Sequence, residues 1–240
     1  MVESFKIRSE SLKRYVKISI DLPKEYNYTN NSYPVIFVFD GQLFYNFLTE
    51  KTKVIEMDKI VHECEKKFIC VTIQSPTIPE WRISELNPYY NGDNKDVDTV
   101  LSLLFFEYVN NEILNHIKDR YRTNGNYYLL GYKEGAIAAV YMLYNYDSFK
   151  GAGLFSIDLN EVNDRFKEDL LFNFTSTKSL YLVYGGLNTD TKEDDLFYKL
   201  CTQFDSLKPN KLKYDFYEKE INSYDILKNH LLDYFNFILP

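Results

Sequence analysis

The sequence predicts an α/β fold, a mostly parallel central sheet with helices on both faces, in one domain spanning residues 1–240. Two observations carry this. Short, wholly apolar runs recur along the chain, and a continuous apolar run suits a strand covered on both faces. Between them lie longer segments whose apolar residues recur at helical spacing. Strands that alternate with helices argue for parallel pairing.

The elements follow in order. Residues 12–21 (LKRYVKISID) alternate polar and apolar, as a half-buried antiparallel strand does. Residues 23–33 form a polar turn. Residues 35–39 (VIFVF) and 68–73 (FICVTI) are apolar strands, and 127–130, 151–156 and 180–184 continue the series. Residues 212–217 alternate and belong nearer a sheet edge. Helices are expected over 52–66, 98–121, 134–146, 190–207 and 224–239. The longest of them places Leu101, Leu104, Phe105, Tyr108, Val109 and Ile113 on one stripe. Residues 77–98 are expected to be a loop that caps the site, carrying Trp81, Tyr89 and Tyr90.

Composition narrows the function classes. Lys and Arg total 28 against 35 Asp and Glu, a net charge of −7. A polyanion would be repelled on average, so no nucleic-acid partner is expected. No apolar run reaches membrane-spanning length, and the N-terminus lacks the apolar core of a signal peptide. A cytoplasmic protein is expected, and the abundance of Lys, Asn and Ile suggests an AT-rich bacterial genome. Cys64, Cys70 and Cys201 lack metal-ligand spacing and read as buried thiols. His62, His116 and His230 are too scattered for a metal cluster, and no metal or cofactor is expected. His116 reads as half-buried packing. Glycosylation-type triplets at Asn27, Asn30 and Asn173 read as chance matches.

The chemistry-bearing segment follows the third apolar run. Gly131-Tyr132-Lys133-Glu134-Gly135 precedes an Ala-rich helix and has the frame of a nucleophile elbow, G-x-S-x-G between strand and helix. Both glycines are present, and Lys133 stands where the serine would be. Tyr33-Pro34-Val35 through Asp40-Gly41, the Arg82, Glu85 and Pro88 spacing, Phe106 with Asn111-Glu112-Ile113-Leu114, and Phe149 through Ser156 accompany it in order. Together these segments resemble the esterase branch of the α/β-hydrolases, which includes enterobactin-type siderophore esterases and S-formylglutathione hydrolases. The resemblance covers residues 10–239.

It implies an α/β-hydrolase fold and assigns site positions. Lys133 falls at the nucleophile. Asn188 falls at the acid, with Asp190 as the alternative, and Ser223 falls at the histidine. Backbone N–H groups near Gly41, Gln42 and Glu134 would form the oxyanion hole. Asp40, Trp81, Arg82, Tyr132 and Ser156 would line the pocket, with Arg82 and Glu85 paired above it. A lysine cannot form the acyl ester of the serine cycle, and an acyl-lysine would be an amide too stable to turn over. Loss of one triad member removes most hydrolysis.

The expectation is a pseudo-hydrolase that has lost its triad and binds a small molecule or a protein partner in the cleft. The alternative is an active carboxylesterase with a rearranged set, Ser156 as nucleophile and His230 as base. A third reading is an interaction subunit, with a homo-oligomer formed through the aromatic-rich surface.

Overall fold

A computed structural model describes residues 2–44, 55–90, 95–158, 164–187, 191–221 and 223–240. Eight strands form one sheet in the order β1-β2-β4-β3-β5-β6-β7-β8. They are β1 Val2–Ser9, β2 Arg14–Asp21, β3 Tyr33–Phe39, β4 Ile69–Ile73, β5 Thr123–Tyr132, β6 Phe149–Phe155, β7 Ser179–Leu187 and β8 Lys211–Ile221. From β4 across to β8 every pairing is parallel, whereas β1 and β2 join antiparallel at one end. The helices are α1 Met57–Glu63, α2 Pro79–Leu86, α3 Lys95–Glu107, α4 Leu114–Arg120, α5 Glu134–Asn145, α6 Asp164–Asn173, α7 Thr191–Ser206 and α8 Tyr224–Ile238.

The apolar runs became central strands because both their faces are covered. In β3, Val35, Phe37 and Phe39 enter a core shared with α4, α5, α6 and α7, while Ile36 and Val38 enter a second core under α1 and α8. That alternation is the two-residue period of a strand. The Ala-rich sequence of α5 lets it lie close to the sheet, and Ala136, Ala138 and Ala139 are fully buried.

The structure departs from the expected elements at four places. β1 forms at the sheet edge, where its partly buried Phe5 and Ile7 pack on the first core. Residues 79–86, expected as loop, are helix α2, with Pro79 in the first turn, where its missing N–H costs nothing. The single helix expected over 98–121 is α3 and α4 joined by one π-helical turn, Tyr108–Ile113. The short helix α6 buries only Phe166 and Leu170. Within the helix expected over 52–66, residues 55–66 are described and only Met57–Glu63 of them is helical. Among the described residues no helix is long and apolar enough to cross a membrane.

Candidate functional site

The turn that links β5 to α5 lies beside the ends of β3 and β6. Lys133 sits there at φ 52° and ψ −117°, a conformation that L residues rarely adopt. Its N–H donates to Phe155 O at 3.0 Å, and its carbonyl accepts from Ala136 N at 2.9 Å, which ties the turn to β6 and starts the helix. Gly131 is sterically demanded, and Gly135 is tightly placed. A Cβ on Gly131 would lie 1.9 Å from Gly135 O, and a Cβ on Gly135 would lie 3.2 Å from Asp40 Oδ2. The Lys133 side chain is exposed and its ammonium stands 5.7 Å from the Tyr132 ring centroid.

Behind the turn lies a buried ionic cluster. Arg82 Nε donates to Asp40 Oδ1 at 2.8 Å and Arg82 Nη2 to Asp40 Oδ2 at 2.7 Å, a two-pronged grip. Arg82 Nη1 donates to Glu134 Oε2 in the first turn of α5. Asp40 has left-handed backbone (φ 58°) and is completely buried. Burial alone would lower the pKa of Arg82, but Asp40 and then Glu134 outweigh it and hold the guanidinium above its ordinary value. Gln42 closes the cluster: its Nε2 donates to Asp40 Oδ1 at 3.2 Å, and its Oε1 accepts from Ser75 N at 3.1 Å.

The expected Arg82–Glu85 pair does not form. α2 turns Arg82 toward Asp40 and leaves Glu85 to Arg14, whose Nη2 donates to Glu85 Oε2. Glu85 Oε1 is buried with no hydrogen-bond partner among the described residues. Burial, opposed by Arg14, pushes the Glu85 carboxyl up to about 7.

The other expected positions are dispersed. Ser223 caps α8, its Oγ accepting from Asp225 N at 3.3 Å. Asn188 and Asp190 lie outside the described residues. Ser156 follows β6 at φ 48°, and its buried Oγ has no hydrogen-bond partner among the described residues. His230 stacks on Tyr217 at 3.9 Å, and its Nε2 meets Glu220 Oε1 at 2.9 Å. Trp81 is exposed, while burial pushes the half-buried Tyr132 hydroxyl up to about 12. Of the expected pocket residues, Asp40, Arg82 and Tyr132 are thus brought together with Glu134, since Tyr132 O also lies 3.5 Å from Arg82 Nη2. Sequence reasoning missed Glu134 as a side chain, having given it only a backbone role. Among the described residues no three His, Cys, Asp or Glu side chains are grouped to hold a metal.

A family model described as Putative esterase matches residues 9–239. The chain belongs to the Putative esterase family. Among solved structures, this esterase-family chain is similar to an IroE-like serine hydrolase from Shewanella oneidensis, at 19% identity and a TM-score of 0.78, covering 98% of this chain and 81% of that one. It is similar to BES protein from Bacillus cereus at 21% identity and a TM-score of 0.80, covering 100% and 96%. It is also similar to the enterobactin esterase FES from Shigella flexneri, solved in the presence of enterobactin, at 15% identity and a TM-score of 0.74, covering 98% and 59%. No curated protein matches the chain by sequence. The fold is that of the α/β-hydrolases, in their esterase branch.

Proposed function

We propose that this esterase-family protein is a non-catalytic relative that binds a small ligand in the cleft around Lys133. The observation that carries the reading is Lys133 itself, at φ 52° on a strand-to-helix turn whose glycines admit no Cβ without displacing a neighbour. Strain of this kind costs about 1–3 kcal/mol and gathers at functional sites. The turn is therefore built as a nucleophile elbow, yet it presents an ammonium. An amine would end the acyl cycle at an amide. Ser223 supports the same reading, because its hydroxyl caps α8 and cannot serve as a general base.

The rearranged set has no geometric support. Ser156 Oγ meets no hydrogen-bond partner among the described residues, so His230 is not placed to activate it, and His230 Nε2 is engaged with Glu220. The three solved relatives include one crystallised with enterobactin, and by analogy a small molecule is the ligand class expected here. The test is hydrolysis of a panel of short-chain p-nitrophenyl esters by the purified protein and its Lys133→Ala variant. Rates equal to buffer in both support the reading. Turnover in the wild type that is lost in the variant would make Lys133 chemical and overturn it.

A further inference from the structure

β8 lies at one end of the sheet and pairs with β7 alone. It is also the longest strand, at 11 residues. An edge strand presents a row of backbone N–H and C=O groups on its open side. Among the described residues, no backbone group of 212–220 bonds to any segment other than β7. Proteins blunt such an edge with a bulge, a proline or outward charge, lysine above all. In β8 the register breaks only after Tyr217, and residues 211–217 run regularly beside β7. That stretch holds no proline. Its Lys213 is neutralised by Asp215, Nζ to Oδ2 at 2.9 Å. The edge is therefore long, regular and nearly neutral at its middle.

The side chains sort by face. Leu212 and Phe216 pack on the first core, and Tyr214 between them is 46% exposed. Tyr198 of α7, itself exposed, lies 5.3 Å from the Phe216 ring and extends this aromatic face. On the opposite face Lys213 Nζ stands 5.0 Å from the Tyr181 ring centroid, Asp215 accepts from the Tyr181 hydroxyl at 2.8 Å, and Tyr217 packs on the second core.

Directly opposed residues of an antiparallel pair share a face. Two copies of β8 related by a two-fold axis therefore pair in registers centred on one residue. Centred on Tyr214, Tyr214 meets itself, Leu212 meets Phe216, Lys213 meets Asp215 and Lys211 meets Tyr217. Every charge in the overlap then faces an opposite charge or an aromatic ring. Other centres are worse. Lys213 at the centre opposes itself, Asp215 there opposes Lys211 with Lys219, and Phe216 there opposes Lys213 with Lys219. Tyr217 at the centre carries the overlap into the irregular stretch.

We propose that β8 pairs with β8 of a second copy of this chain, antiparallel and centred on Tyr214, which joins the two eight-stranded sheets into one. The backbone ladder supplies the attraction, and the order of Lys213 and Asp215 along the strand sets the register. The inference is independent of the cleft reading, since Lys133 and the Arg82 cluster take no part in it.

The test is sedimentation equilibrium of the purified protein from low micromolar to the highest soluble concentration. A particle of two chains is expected. Tyr214→Asp places two carboxylates at the centre and is expected to weaken the dimer by about tenfold or more. Lys213→Glu and Asp215→Lys are each expected to do the same, and the two combined restore the affinity. Asp215 also holds Tyr181, so the half-exposed Tyr214 keeps the test sound if Asp215→Lys misfolds. Tyr28→Asp, on an exposed turn, is the control and leaves the affinity unchanged. On oxidation Tyr214→Cys is expected to form a disulfide-linked dimer, because opposed Cβ atoms lie near bridging distance and the native Cys64, Cys70 and Cys201 are buried. A single chain at every concentration, or a dimer whose affinity Tyr214→Asp leaves at the wild-type value, would overturn the proposal.

Discussion

Arg82 grips both oxygens of Asp40, at 2.8 and 2.7 Å, and joins a carboxylate after β3 to the first turn of α5 through Glu134. The strand-to-helix turn at Lys133 therefore rests on an ionic support drawn from three distant segments. Removing one partner from such a buried pair leaves an uncompensated charge and costs about 3–5 kcal/mol. Arg82→Met is expected to destabilise the protein by that amount in urea unfolding. Arg82→Lys recovers only part of it, because an ammonium cannot grip both oxygens. A loss below about 1 kcal/mol in Arg82→Met would contradict the support role.

Lys133 holds a conformation suited to glycine. Lys133→Gly relieves strain of about 1–3 kcal/mol and gives back about 0.5–1 kcal/mol in unfolded-state entropy. A net gain on the order of 1 kcal/mol in thermal or urea unfolding is expected. Lys133→Ala keeps the strain and stays near wild type.

Gly131 tolerates no side chain, because the added Cβ would sit 1.9 Å from the carbonyl of Gly135. Gly131→Ala must separate β5 from α5, and a loss above about 4 kcal/mol is expected, at the extreme of single substitutions. Circular dichroism and yield of folded protein read this directly.

Glu85 gives the stability a pH dependence of known sign. Its carboxyl is raised from 4.5 to about 7 by burial, against Arg14. The folded state then binds more protons than the unfolded state between these values, so stability falls as pH rises from 4.5 to about 7. The full fall is on the order of 3 kcal/mol. Glu85→Gln is expected to flatten that slope in unfolding measurements across the window. An unchanged slope would remove Glu85 as its source.

The apolar runs that became β3, β4, β5 and β7 were legible because burial on both faces leaves almost no polar position in them, Thr72 of β4 being an exception. The elbow frame was legible because its two glycines answer a steric demand, absolute at Gly131 and tight at Gly135. β1 was not legible: at a sheet edge only Val2, Phe5 and Ile7 pack on the cores, and VESFKIRS reads as surface. α2 had a signal in Pro79 that the surrounding polar residues masked. Arg82 was expected to pair with Glu85 from its spacing on the chain. The actual partner, Asp40, is 42 residues away, and only the fold brings it near.

The central claim is that an esterase frame here carries no activated serine. It is tested most directly by intact-protein mass measurement after incubation with a fluorophosphonate, which phosphonylates activated serine nucleophiles. The account predicts an unchanged mass under conditions that fully label an active serine esterase. A stoichiometric adduct on any serine, Ser156 above all, would contradict it.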